Sequence, residues 1–226
     1  MRQNLTLPER TALLLIDLQE EQRHDPLYKA FGIETVLANA GRLLATARSV
    51  PRLIIHAAYR RDYARRALRP FEPVSADGGA TFSDAANPLT RICPEVAPLP
   101  SETVIYKNDA SAFCEGDLAP LLAAARIEWL VISGVWTEAC VAATVRDAMA
   151  LGLRVLLVKD ACGSGTQAMH ETAMLNLANR LYGGAVADTE RAVALLRGET
   201  QPVWITERPV PIFFDYASAP GYYAEL

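Results

Sequence analysis

The sequence lacks the features of a membrane or secreted protein. It contains no apolar run near the roughly 20 residues that a bilayer-spanning helix needs. Its first residues, MRQNLTLPER, carry no hydrophobic segment of a signal peptide. We therefore expect a cytoplasmic protein with no membrane partner.

An excess of positive charge is also missing. The 226 residues include 22 Lys and Arg against 26 Asp and Glu, for a formal net charge of −4, which gives no basic surface for a polyanion. We expect no nucleic-acid partner. Neither GxGxxG nor GxxxxGK[ST] follows any predicted strand, which argues against a nucleotide or flavin domain.

Paired cysteines are absent too. More than twenty residues separate each of the four cysteines from the next, so the chain has no CxxC pair and no dense disulfide framework; they are Cys93, Cys114, Cys140 and Cys162. Each of them is therefore either a small core residue or a reactive thiol.

The chain does contain short apolar runs that alternate with helical patterns. The runs, which are typical of strands buried on both faces of a parallel sheet, are 11–16, 52–57, 103–106, 129–133, 155–158 and 184–187. Helical periodicity covers 33–49, 117–126, 137–151, 167–182 and 189–197. This alternation predicts a three-layer α/β/α domain with a mostly parallel sheet of about six strands.

Two segments interrupt the alternation. Residues 59–101 are rich in proline. This composition predicts a long excursion from the strand-and-helix alternation, which acts as a lid or a subunit contact. Residues 199–226 hold four prolines and many aromatic residues, so we expect this tail to pack on its own domain, residues 1–198, or on a neighbouring subunit. The aromatic tail also favours a homo-oligomer, either a dimer or a tetramer.

Residues just after the strands are the candidates for chemistry, because ligands of open α/β sheets bind beyond the carboxyl ends of the strands. This rule selects Asp17, Lys107, the segment 134–140 and Asp160. Thr137 is a good helix N-cap, which would place Cys140 in the first turn. There the helix dipole could lower the thiol pKa from about 8.5 toward 7 or below, and free amides could hold an oxyanion.

Each candidate also has a purely structural interpretation. A free cysteine usually packs as a small hydrophobe, a lone Asp after a strand is often a turn residue, and a lone Lys usually lies at the surface. A parallel sheet, however, would bring Asp17, Lys107 and Cys140 to one edge. There Asp17 could take the thiol proton and later donate it to a leaving amine, while Lys107 holds the charges in place.

Three segments together resemble the isochorismatase-like cysteine hydrolases. They are LLIDLQ at 14–19, KNDASAF at 107–113 and SGVWTEACV at 133–141. This family includes nicotinamidases and the amidohydrolases of N-carbamoylsarcosine, biuret, maleamate and ureidoacrylate. The resemblance extends over about residues 10–198 and implies a Rossmann-like hydrolase fold.

The resemblance also implies roles for individual residues. Asp17, Lys107 and Cys140 match the catalytic triad of the family, and Val135-Trp136 matches a dipeptide with a non-proline cis peptide bond. The backbone amides of Trp136 and Cys140 would form the oxyanion hole. The substrate pocket would include Gln19, Phe113, Trp136 and Thr137, although Trp136 can equally be interpreted as a core or interface aromatic residue.

The implied reaction is hydrolysis of a small-molecule amide, carbamoyl or ureido compound through a thioester, with no cofactor. Isochorismatases proper cleave a vinyl ether without a cysteine, so Cys140 favours C–N hydrolysis. The Asp-x-His pair that binds a metal in nicotinamidases is absent around His56, and His24 and His170 are scattered, so we expect no metal.

Two alternatives and one substrate hypothesis stay open at this point. The same fold could carry an inert Cys140 and only bind a small molecule or support assembly, or it could hydrolyse a vinyl ether. The arginines within 60–69 could pair with a substrate carboxylate, because a planar guanidinium matches that group well. The residues 19–24 lack the aromatic residue that the family usually has there, so the pocket wall must differ.

Overall fold

One sheet of eight strands runs through the protein, whose computed structural model describes residues 2–226. In chain order the strands are β1 (Arg2–Leu5), β2 (Thr11–Ile16), β3 (Leu53–Tyr59), β4 (Thr103–Lys107), β5 (Trp129–Val135), β6 (Arg154–Gly163), β7 (Ala185–Ala187) and β8 (Gln201–Trp204). Their spatial order is β1-β8-β7-β6-β5-β2-β3-β4. The strands from β7 to β4 in that order pair in parallel, whereas β8 pairs antiparallel with both β7 and β1.

Seven α-helices accompany the sheet within the described residues. They are α1 (Glu21–His24), α2 (Ile33–Ser49), α3 (Leu118–Ala124), α4 (Ala142–Ala150), α5 (Gln167–Ala178), α6 (Thr189–Leu196) and α7 (Ala219–Glu225). None of the helices in this part of the chain is long and apolar enough to cross a bilayer. The predicted three-layer α/β fold is confirmed.

The strand count differs from the predicted number of about six. The two additional strands, β1 and β8, are four-residue antiparallel strands, and β1 (RQNL) is mostly exposed. β1 is an edge strand, and β8 lies between β1 and β7. Short antiparallel strands of this kind need no continuous apolar run, which is the pattern that predicts a strand buried on both faces. β6 is also longer than the predicted 155–158, because its polar Lys159 and Asp160 interrupt the apolar run.

Two hydrophobic layers hold the sheet between its helices. Alternate residues of β2 point to opposite faces, as a strand requires: Leu13 and Leu15 pack in the layer under α2 and α6. Leu14 and Ile16 pack in the layer under α3, α4 and α5. All four are at most 2% exposed, and each full burial contributes roughly 1.5–3 kcal/mol.

The tail folds against the sheet and its helices. Its first part is β8, and α7 at its end lies against α5, where the hydroxyl of Tyr223 is 3.0 Å from Nε2 of His170. Lys159 of β6 donates to the carbonyl oxygens of Tyr223 and Ala224. These bonds connect the last helix to the strand that ends beside the active-site region.

The excursion between β3 and β4 passes over the carboxyl ends of the central strands. The backbone amide of Cys93 donates to the carbonyl of Leu18, and that of Glu20 donates to the carbonyl of Arg91. A buried ion pair of Arg61 with Glu72, at 2.6 Å, fixes the outer part of the excursion. The excursion therefore covers the sheet edge where Asp17, Lys107 and Cys140 lie.

Gly134 allows β2 and β5 to approach at these carboxyl ends, and its replacement tests that contact. Its φ is +142°, and a Cβ there would collide with the carbonyl of Ile16. We expect Gly134→Ala to lower the free energy of unfolding by about 3 kcal/mol in urea denaturation. The control is Gly221→Ala in α7, where a Cβ meets nothing within 4 Å, and it should change stability little or raise it. Equal stability of both variants would contradict the prediction.

Candidate active site

Asp17, Lys107 and Cys140 meet at the carboxyl edge of the sheet. Asp17 follows β2, Lys107 is the last residue of β4, and Cys140 lies in a turn after β5. Because β3 lies between β4 and β2, the Lys107 side chain must cross β3 to reach Asp17. It does so above Tyr59, the last residue of β3, with Nζ 4.2 Å from the centre of the tyrosine ring.

The ion pair between Lys107 and Asp17 is fully enclosed. Lys107 Nζ lies 2.8 Å from Asp17 Oδ2, and the two side chains are 0% and 4% exposed. Nζ also donates to the carbonyl oxygen of Asp109 at 3.2 Å. Carboxylate, carbonyl and aromatic ring together replace the water that a lysine ammonium would otherwise keep.

Asp17 keeps one carboxylate oxygen free beside the thiol. Its Oδ1 is buried and accepts no hydrogen bond among residues 2–226. The backbone of Asp17 is left-handed, with φ of 52°, a conformation that Asp tolerates better than most residues, and its amide donates to the carbonyl of Ala57. Asp17 is thus held in place with an available proton acceptor.

Burial sets the protonation of the three groups. Burial raises the pKa of Asp17, although Lys107 opposes this shift. Burial lowers the pKa of Lys107, but its charge and hydrogen-bond interactions with Asp17 and Cys140 outweigh this effect, so the pKa of the lysine is raised overall. Burial and the Asp17 carboxylate raise the pKa of the Cys140 thiol, against the attraction of Lys107.

The predicted lowering of the cysteine pKa is therefore wrong. It relied on a helix start at Thr137, whereas residues Thr137–Val141 form a π-helical turn and α4 begins only at Ala142. Thr137 does not cap this helix. With a raised pKa, the protonated form of the Cys140 thiol is favoured in the resting site.

The turn that carries Cys140 is held from both ends. The peptide bond between Val135 and Trp136 is cis, and the carbonyl oxygen of Trp136 accepts from the amides of Ala139 and Val141. The Thr137 hydroxyl donates to the carbonyl of Gly163 at 2.9 Å and lies 2.8 Å from Nδ1 of His170. The backbone amides of Trp136 and Cys140 stay our prediction for the oxyanion hole.

A cavity of about 230 Å³ opens at the thiol. Its lining is largely apolar and includes four aromatic side chains; it consists of Asp17, Glu21, Gln22, Tyr28, Tyr59, Phe82, Ser83, Val135, Trp136, Ala139 and Cys140. Phe82 lies 5.6 Å from Tyr28 and 5.4 Å from Tyr59, measured between ring centres. This volume is below the roughly 300–1,000 Å³ of sites for drug-sized ligands, so the cavity fits a small molecule.

Of the predicted pocket residues, Trp136 lines this cavity and three others do not. Gln19 is buried, donates to the carbonyls of Tyr59 and Thr90, and accepts from the amide of Tyr59. It therefore fixes the excursion to β3. Thr137 is used in the bonds described above, and Phe113 packs in the hydrophobic layer under α3, α4 and α5.

Besides Tyr59 at the end of β3, five lining residues were not predicted from the sequence. Glu21 and Gln22 lie in α1, directly after the first motif, and Tyr28 follows that helix; Phe82 and Ser83 belong to the excursion. Tyr28 and Phe82 supply the aromatic wall that residues 19–24 lack. No periodic pattern marks the two excursion residues, since their position depends on how the whole excursion folds back.

The arginines of 60–69 do not line the cavity. Arg61 pairs with Glu72, and Arg69 pairs with Asp109 at 2.9 Å. The guanidinium of Arg60 lies over the ring of Tyr106. The cavity lining therefore gives no support to the hypothesis that these arginines bind a substrate carboxylate, which stays a hypothesis.

The three histidines are also used elsewhere. His24 pairs with Glu20 at 2.9 Å, and the buried His56 lies 3.0 Å from Glu102. His170 lies between Thr137 and Tyr223. The expectation that the site needs no metal stays a prediction.

Comparisons with known proteins agree on one family. The family model named isochorismatase domain matches residues 11–191. A maleamate amidohydrolase from Pseudomonas putida is 32% identical over 194 residues, which cover 81% of this chain and 86% of the relative. An N-carbamoylsarcosine amidase from an Arthrobacter species is 28% identical, with 83% and 71% covered. An isochorismatase family protein from Desulfovibrio vulgaris superposes with a TM-score of 0.73, at 26% identity, over 84% of this chain and all of that one.

The raised pKa of Cys140 predicts how the thiol reacts with iodoacetamide. Alkylation should be slow at pH 7 and faster at higher pH. Asp17→Asn removes the carboxylate that opposes ionisation of the Cys140 thiol, so the pKa of the thiol should fall. For each unit by which this pKa falls, labelling of Cys140 at pH 7 should become about tenfold faster. Peptide mass mapping separates Cys140 from Cys114, the internal reference. An equal or slower rate in the variant would contradict this account.

Proposed function

The chain belongs to the isochorismatase family, and from this premise we propose that it is a cysteine-dependent amidohydrolase that cleaves a C–N bond in a small molecule. The relatives named maleamate amidohydrolase and N-carbamoylsarcosine amidase act on such bonds. One observation carries the proposal: the buried pair of Asp17 and Lys107 adjoins the thiol of Cys140 at a largely apolar cavity.

In the first step the sulfur of Cys140 attacks the carbonyl carbon of the bound substrate. Asp17 takes the thiol proton on its free oxygen, so the attacking group becomes a thiolate only as the new bond forms. The carbonyl oxygen gains the negative charge, which the backbone amides of Trp136 and Cys140 would stabilise. Lys107 keeps the site neutral before the proton moves.

In the second step the C–N bond breaks. Asp17 returns its proton to the leaving nitrogen, ammonia or an amine departs, and a thioester to Cys140 remains. A water molecule then gives a proton to Asp17 and attacks the thioester carbon. The carboxylic or carbamic acid leaves, and the sulfur recovers its proton from Asp17. This sequence uses side chains and water, so the proposal calls for no cofactor.

Removing the nucleophile tests the mechanism. Cys140→Ala should lower ammonia release from a hydrolysed amide, carbamoyl or ureido compound by a factor on the order of 10⁴ or more. The matched control is Cys114→Ser, because Cys114 is half-buried and outside the cavity; it should keep wild-type activity. Full activity of Cys140→Ala would reject the thioester route.

We further propose that the chain self-associates, in the cytoplasm, through its tail. Phe213 and Tyr216 of the tail are 82% and 88% exposed, and packing both side chains against a second copy would remove this apolar surface from water. Light scattering after size exclusion should give a mass of two or four copies of the 24.6 kDa chain. A single species at the mass of one chain would contradict this, and Phe213→Ser with Tyr216→Ser should shift the population toward that mass.

A further inference from the structure

The charged groups that line the cavity are both acidic. Asp17 lies beside the thiol, and Glu21 forms part of the wall. Glu21 is 1% exposed, and its two carboxylate oxygens accept from the amide and the hydroxyl of Ser83, each at 2.8 Å. Burial raises the pKa of Glu21, and the two hydrogen bonds from Ser83 oppose this shift by stabilising the carboxylate. The excursion therefore fixes the group in position, and no cation among residues 2–226 pairs with it.

Three cations of the site and of the excursion already have acidic partners among residues 2–226. Lys107 is committed to Asp17, to the carbonyl of Asp109 and to the ring of Tyr59. Of the arginines in the excursion, Arg61 is bidentate with Glu72 and Arg69 contacts both oxygens of Asp109. Moving one of these side chains into the cavity would leave an acidic partner unpaired.

Gln22 supplies a neutral polar contact instead. Its Oε1 accepts from Nε1 of Trp136 at 2.7 Å, which turns its amide nitrogen away from the indole. That nitrogen donates to no acceptor within residues 2–226, although Gln22 lines the cavity. It can therefore donate to an oxygen of a ligand, without adding a positive charge to the cavity. The rings of Tyr28, Phe82 and Trp136 form the remaining wall, which suits a flat or apolar body.

We propose that the substrates of this cavity are small amides without a carboxylate, with an uncharged flat or apolar body against the aromatic wall. A carboxylate here would lose its water, contact no cationic side chain of the cavity lining and lie near the unpaired carboxyl group of Glu21, and each of these effects is unfavourable. The inference rests on the proposed function. It separates this chain from its relative named for maleamate, whose substrate is itself an anion.

The charge of the cavity can be measured without knowing the substrate. Iodoacetamide and iodoacetate are nearly the same size and alkylate the same sulfur, but iodoacetate carries a carboxylate. For Cys140 we take the rate of alkylation by iodoacetamide divided by the rate with iodoacetate. We expect this ratio to be at least about tenfold higher than the same ratio measured for glutathione. A ratio near one, or a preference for iodoacetate, would overturn the inference by revealing a cationic subsite.

Glu21 provides the matched variant. Glu21→Gln keeps the size of the side chain and removes its charge, so the preference of Cys140 for iodoacetamide should fall several-fold. The control is Glu20→Gln: Glu20 is equally buried but bonds to Arg23 and His24 outside the cavity, and the ratio should stay unchanged. An unchanged ratio in Glu21→Gln, or an equal fall in both variants, would mean that Glu21 does not set the preference.

Turnover gives the second readout. It is measured on pairs of compounds in which one member has an amide group where the other has a carboxylate. Succinamide should have a kcat/KM at least about tenfold above that of succinamate per amide bond, and terephthalamide should exceed terephthalamate likewise. Turnover of the carboxylates with equal or higher efficiency would reject the substrate class but leave the amidohydrolase proposal standing. Hydrolysis that survives Cys140→Ala would reject the mechanism, while the alkylation ratio would still test the charge of the cavity.

Discussion

The buried ion pair between Asp17 and Lys107 is the interaction on which the site depends. Each charge alone would cost several kcal/mol to bury, and together they occupy a space from which water is excluded. The pair requires β2, β3 and β4 to be neighbours, since Lys107 reaches Asp17 only by crossing Tyr59. The sheet order is therefore a condition for the chemistry as well as for the core.

The pair also explains how a cysteine can be both buried and reactive. Its two charges balance, so the thiol beside it stays protonated in the resting site, where burial raises its pKa. Asp17 keeps one oxygen without a hydrogen bond among the described residues, and this oxygen can receive the proton when a carbonyl carbon arrives. In the proposed mechanism, ionisation of the sulfur is coupled to bond formation instead of preceding it.

The sequence was most informative about positions that follow buried strands. The apolar runs located β2, β4 and β5, so the rule that ligands bind at strand ends selected Asp17, Lys107 and the segment of Cys140. The walls of the cavity could not be found in this way. Phe82 and Ser83 are placed by the folding of a long excursion, and the thiol pKa depends on burial, which is a property of the assembled structure. Thr137 and Gln19 likewise looked like site residues until their hydrogen-bond partners were known.

The residues proposed to react and the excursion residues that line the cavity lie on different parts of the chain. The groups next to the sulfur extend from strands that are paired on both sides or anchored in the hydrophobic layers. Phe82 and Ser83, in contrast, come from a connection that runs outside the ladder of the central strands, and such connections tolerate changes of length and sequence. A related protein in which that connection has changed could therefore accept different substrates, while the residues proposed to catalyse the reaction stay the same.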